Sequence, residues 1–199
     1  MFKIRKNEDI EILIVQDRRR EKKSKEKVNV KWIITIICIA FSLSLLLSLV
    51  ADLIIPNVSL IIGLLITLLF ILLGILFDIV GVAVTSSNES VFHSMNSRKV
   101  RGANIAVLFK KNAEKVSSFC CDVIGDICGI LSGSAASTIA LLLISKYSLA
   151  ALPTTIIIAA VVASLTIGGK AIGKTFAINK SDIILYEFSK FVSYFYKKK

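Results

Sequence analysis

Four uninterrupted apolar runs, at residues 32–55, 60–84, 119–144 and 153–169, constrain this chain more than any other feature. At about 1.5 Å of rise per residue the first run makes a helix of roughly 36 Å, longer than a bilayer hydrocarbon core of about 30 Å. A soluble core of 199 residues rarely carries 55% hydrophobic residues or a mean hydropathy of +0.76. Such long runs mark transmembrane helices. Pro56 and Asn57 close the first span with a tight turn, and residues 145–151 make the second short turn. Pro153 opens the fourth span, where its missing N–H would have had no partner within the helix. The first run is about twice the length of a signal-peptide core and no small-residue cleavage site follows, so it reads as a retained anchor. The expected fold is all-α, with four transmembrane helices, a helical loop over 86–118 and a juxtamembrane amphipathic helix over 181–196.

Charge orients the spans. The formal net charge is +11, and eleven of the Lys and Arg residues lie between Lys3 and Lys31. Six more lie between Arg98 and Lys115 and seven from Lys170 onward, whereas the two opposite turns hold only Lys146. The positive-inside rule then places both termini and the middle loop in the cytoplasm. The basic residues flank spans, with no aromatic interleaving and no nucleic-acid motif, so the inner leaflet is the expected partner and nucleic acid is not. The first 31 residues mix both signs of charge around one apolar patch, Ile10 to Val15, and read as a solvated, partly helical arm.

Two further segments carry helical patterns. The loop reads as short helices broken near Asn96, Ser97 and Gly102, with Ile105, Leu108 and Phe109 on one stripe. In the tail, Ser181 is placed to cap a helix on which Ile184, Phe188, Phe191 and Phe195 recur at helical spacing. That stripe fits the surface of the inner leaflet, packing against another cytoplasmic helix, or both at once.

Charged groups inside spans cost several kcal/mol and are kept for pathways or pairs. Asp78 lies late in the second span, Asp122 and Asp126 lie a turn apart early in the third, and Lys170 follows Gly168 and Gly169 at the end of the fourth. These positions put three carboxylates and one ammonium near one membrane level, with Lys170 expected within ion-pair reach of one Asp. Asp52, at the opposite face, reads as a solvated helix end. Gly125, Gly129 and Gly133 form a ridge of small residues suited to close helix packing, including a homodimer contact. With Ser132, Ser134, Ser137 and Thr138 beside it, the same face could instead line a hydrated cation route. Carboxylates and hydroxyls suit a hard cation such as Mg²⁺, with Asp78, Asp122 and Asp126 as candidate metal ligands and Ser132 and Lys170 along the pathway.

Other chemistry is sparse. His93 is the single histidine and has no catalytic partner in view. Cys120, Cys121 and Cys128 lie near the cytoplasmic face, where disulfides are disfavoured, and match no zinc spacing; Cys38 fills a span. No phosphate loop, nucleophile motif or haem motif occurs, and an enzyme is not expected.

From about residue 77 to 196 the chain resembles the transmembrane domain of the CorB/CorC and cyclin M (CNNM) magnesium transporters. Phe77-Asp78-Ile79-Val80-Gly81-Val82-Ala83-Val84-Thr85-Ser86 is similar to the family's Phe-Ser-x-x-Glu-x-Ala-x-Thr-Ser. Gly169-Lys170-Ala171-Ile172-Gly173-Lys174-Thr175 is similar to its Gly-Glu-x-x-Pro-Lys-Thr. Residues 103–115 resemble the loop that leads into the family's next span. The resemblance implies a CorB/CorC-like domain over 60–196, a homodimer, and transport of Mg²⁺ or Co²⁺ across a cell membrane, expected to be a bacterial inner membrane. Lys170 stands where the family has the Glu that helps to hold Mg²⁺, and the family's Asn-rich motif is not evident. The CBS pair and CorC-type domain are not expected in these 199 residues, and the span at 32–55 is additional. Two functions follow: a divalent-cation transporter, or a non-transporting scaffold or partner subunit whose ion site Lys170 neutralises.

Overall fold

The computed structural model describes residues 30–55 and 58–195. Most of the basic arm with its Ile10–Val15 patch, the Pro56–Asn57 turn and residues 196–199 lie outside the described residues, as do the side chains of Asp52 and Phe195. The described secondary structure is helical, with no strand. In chain order the helices are α1 (Val30–Ile54), α2 (Leu60–Ser86), α3 (Glu89–Ser97), α4 (Ala103–Lys111), α5 (Ala113–Ser118), α6 (Asp126–Tyr147), α7 (Ala151–Asn179) and α8 (Ser181–Phe195). A π-helical segment, Phe119–Gly125, joins α5 to α6. Among the described residues four helical stretches are long and apolar enough to cross a membrane: Lys31–Ala51, Leu60–Ser86, Ala113–Tyr147 and Ala151–Asn179.

The chain divides into units 1–38 and 39–199. In the first, residues 30–38 are helical, with Ile33, Ile34 and Ile37 exposed. The second holds the bundle, in which α2 packs against both α6 and α7. Since α2 is apolar on every side, hydrophobicity alone cannot select its inner face. Small residues do. The buried stripe reads Gly63, Thr67, Ile71, Gly74, Asp78, Gly81, at successive steps of three or four. In lipid, helices gain little from moving apolar surface off a hydrocarbon solvent, so close backbone approach decides which faces meet.

The glycines show that approach. A Cβ on Gly74 would sit 3.1 Å from the Cys128 Cβ and 3.3 Å from the Gly125 carbonyl oxygen. A Cβ on Gly81 would run into the Cys121 sulfur. On α7, Gly169 meets Ile75, and a Cβ on Gly173 would lie 2.9 Å from Ile79. This explains why the fourth span does not stop at Gly168-Gly169 but continues to Asn179. The glycines there allow a helix crossing and do not end the helix. Likewise the third span is longer than its apolar run and is continuously helical from Ala113.

At the Ser86 end of α2, the helices α3, α4 and α8 form a small layer around Val84, Phe92, Ala106, Val107 and Leu185. Burying a Phe or Leu away from water contributes roughly 1.5–3 kcal/mol. Two polar clamps seal this layer. The Lys110 ammonium donates to the Val84 and Thr85 carbonyls at 3.0 and 2.8 Å, satisfying acceptors left free at the end of α2. The Asp182 carboxylate accepts from the Asn88 N–H at 2.8 Å, at the start of α3.

The expected breaks in the loop fall at residues 98–102, where Lys99 and Gly102 adopt positive φ. Its inward stripe is Ile105, Ala106 and Phe109, while Leu108 is 48% exposed. On α8 the buried residues are Leu185 and Ser189, and Phe188 stacks near Phe109 with ring centroids 5.7 Å apart. The tail stripe therefore packs on a neighbouring helix, rotated by one residue from the expected face. Phe191 and Tyr194 remain exposed.

Candidate charged centre

Helix geometry places three of the charged side chains, Asp78, Asp126 and Lys170, at one level. Asp78 lies eighteen residues past Leu60, Asp126 twenty-one before Tyr147, and Lys170 nineteen past Ala151. At about 1.5 Å per residue, each is roughly 27–32 Å from the far end of the bundle, close to the full thickness of a hydrocarbon core.

Two ion pairs occupy this level. The Lys170 Nζ donates to Asp126 Oδ1 at 3.1 Å, with Lys170 20% and Asp126 65% exposed. One turn further along α7, the Lys174 Nζ lies 3.7 Å from Asp78 Oδ2. Here the exposures are reversed: Asp78 is 5% exposed and Lys174 53%. Asp78 Oδ2 is fully enclosed and accepts no hydrogen bond, so Lys174 is its sole counter-charge among the described residues. Lys170 thus forms the expected pair, and Lys174 forms a second that sequence reasoning missed. The signal for it was available: Lys170 and Lys174 are four apart and share one helix face.

The π segment lies opposite Asp78. Such segments interrupt the regular hydrogen-bond ladder and recur at functional sites. Its Cys121 donates weakly from sulfur to the Asp78 main-chain carbonyl at 3.6 Å. Gly74 and Gly81, one on each side of Asp78, permit that closeness. A Cβ on Gly125 would meet the Cys120 carbonyl oxygen at 3.3 Å and the Lys170 Nζ at 3.7 Å.

The remaining candidates lie apart. Asp122 is exposed and takes part in neither of the two pairs. Ser132 is buried, but its hydroxyl donates to the Gly129 carbonyl at 2.8 Å and stays within its own helix. It is six residues beyond Asp126, about 9 Å along the axis. Among the described residues no group of three or more His, Cys, Asp or Glu side chains is arranged to hold a metal ion. Asp78, Asp122 and Asp126 therefore do not converge on one point. His93 bonds to Glu89 at 3.2 Å on the surface of α3.

The glycine ridge is divided between two roles. Gly125 faces α2, whereas a Cβ added at Gly129 or Gly133 would meet nothing within 4 Å, which leaves α6 open on that side. Close packing within the bundle comes instead from Gly74, Gly81, Gly169 and Gly173.

No protein-family model, no curated protein and no solved structure matches this chain.

Proposed function

We propose that this chain is a multi-pass membrane protein whose charged centre is neutralised from within, and that it serves as a membrane scaffold or partner subunit. The observation that carries this reading is the 3.1 Å contact between Lys170 and Asp126. The Asp126 and Asp78 carboxylates each face one ammonium group, Lys170 and Lys174, so the charges of the two pairs cancel. A divalent cation entering there would have to displace a lysine that is tethered to the same helix bundle. The positive-inside rule supports cytoplasmic termini in a cell membrane, in keeping with a bacterial inner membrane. Gly129 and Gly133, open on α6, support a homodimer through that face.

The transporter reading keeps one specific support. Asp78 Oδ2 is enclosed without a hydrogen bond, and it sits in the stretch that resembles the CorB/CorC and cyclin M family. Mg²⁺ would be cargo, with Asp78 as its first ligand. Calorimetric Mg²⁺ titration and flux in proteoliposomes separate the two. The scaffold reading expects no binding or flux by the unaltered protein, and either a gain of binding or a failure to fold in Lys170→Glu. Saturable Mg²⁺ flux by the unaltered protein would refute it.

A further inference from the structure

At the other end of the bundle, α2, α6 and α7 line a cleft of about 360 Å³ that is open on one side. Leu64, Leu68 and Ile71 of α2, Leu143 of α6, and Val161 and Leu165 of α7 line it. Thr67 is the one lining residue with a side-chain polar group, and its hydroxyl is already given to the Gly63 carbonyl at 2.9 Å. The cleft therefore has no free side-chain donor or acceptor to offer a polar guest.

Depth narrows the choice further. Leu64 is four residues past Leu60, Leu143 four before Tyr147, and Leu165 fourteen past Ala151. The cleft thus runs from about 6 to about 21 Å below the bundle end, a length of about 15 Å. That is half of a hydrocarbon core of about 30 Å, the depth of one leaflet. It ends before the charged centre begins.

One cation marks the mouth. Lys146 is the single Lys or Arg between Lys115 and Lys170. It lies three residues beyond Leu143, on the same face of α6 and one turn nearer the bundle end. It is exposed, with its Nζ 5.6 Å from the Tyr147 ring centroid. An apolar slot of leaflet depth with an ammonium above it has the charge and shape of a lipid, with its tail below and its phosphate above.

We infer that this cleft holds one acyl chain of an anionic phospholipid whose phosphate is held by Lys146. The inference rests on the bilayer reading but not on the charged centre. Flotation with vesicles of phosphatidylglycerol and phosphatidylcholine tests that basis first: failure to float overturns the membrane reading and this inference with it. For protein that floats, native mass spectrometry of the full chain in mild detergent is expected to show one retained phospholipid per chain. Phosphatidylglycerol should be preferred over phosphatidylcholine by about fivefold, the factor given by roughly 1 kcal/mol per lysine near an anionic headgroup. Lys146→Ala should retain the lipid and abolish the preference. Val161→Trp, which fills the slot, should lose the lipid. Independently of any variant, a phospholipid with a photoreactive acyl chain should label Leu68 and Val161 in the unaltered protein. Absence of retained lipid, labelling spread evenly around the bundle, or a second copy's helix crosslinked into the cleft would each overturn the inference.

Discussion

Replacing Lys174 with Gln removes the sole counter-charge, among the described residues, of a carboxylate that is 5% exposed, while keeping most of the side-chain stem. At 3.7 Å, unit charges attract by about 4.5 kcal/mol at an effective dielectric of 20 and about 1 kcal/mol at that of water. Lys174 is itself 53% exposed, which moves the pair toward the lower figure. A coupling of about 1–2 kcal/mol follows. The single substitution should cost more, about 2–3 kcal/mol, because it leaves Asp78 enclosed and charged with an oxygen that accepts no hydrogen bond. Adding Asp78→Asn should then restore stability, making the double variant firmer than Lys174→Gln alone. Equilibrium unfolding in mixed micelles, followed by helix content, measures all four proteins of the cycle. A Lys174→Gln variant within about 0.5 kcal/mol of the unaltered protein, the usual scatter of surface changes, or no rescue by Asp78→Asn, would refute the reasoning.

The second pair should behave differently. Asp126 is 65% exposed, so Lys170→Gln should cost no more than about 1 kcal/mol in the same assay, against the roughly 3–5 kcal/mol typical of a fully buried pair. Gly173→Ala, whose methyl would press on Ile79, should destabilise by about 1–3 kcal/mol. Gly129→Leu should leave the monomer folded, since nothing lies within 4 Å, and weaken a dimer measured by analytical ultracentrifugation in detergent. Lys110→Met should lower stability by about 1–3 kcal/mol by freeing the carbonyls at the end of α2. Reporter fusions at residues 1 and 199 should both report the cytoplasm.

The apolar runs made the four long helices legible because a span's length and composition are local properties. Their ends were less so, for reasons that are not local. Gly168-Gly169 looks like a stop until Ile75 is placed against it, and a π segment leaves no mark in hydropathy. The charged level was also readable, since Asp78, Asp126 and Lys170 can be placed by counting residues along helices. Which lysine serves which carboxylate was not, because that depends on how α7 is rotated against α2. The Gly169 and Gly173 contacts set that rotation and bring Lys174 to Asp78. The tail stripe failed by one residue for a similar reason. Leu185 rather than Ile184 meets the layer core, and only the direction in which α8 leaves α7 decides between them.

The same small-residue spacing occurs on α6 and α7, and what lies opposite separates the two meanings. On α7, Gly169 and Gly173 meet isoleucines of α2 and are consumed in the fold. On α6, Gly129 and Gly133 meet nothing, while Ile130 between them is 59% exposed. A second copy packed there about a two-fold axis along the membrane normal would set equal depths against each other. With the crossing at Gly133, the two Asp126 residues would approach on one side, seven residues or about 10 Å from the crossing point. Two bare carboxylates at that level would repel, and the Lys170 ammonium at 3.1 Å removes most of that repulsion in each copy. In such a dimer the lysine that would disfavour a bound cation would also make the close approach tolerable, which would join neutralisation and assembly in the same pair.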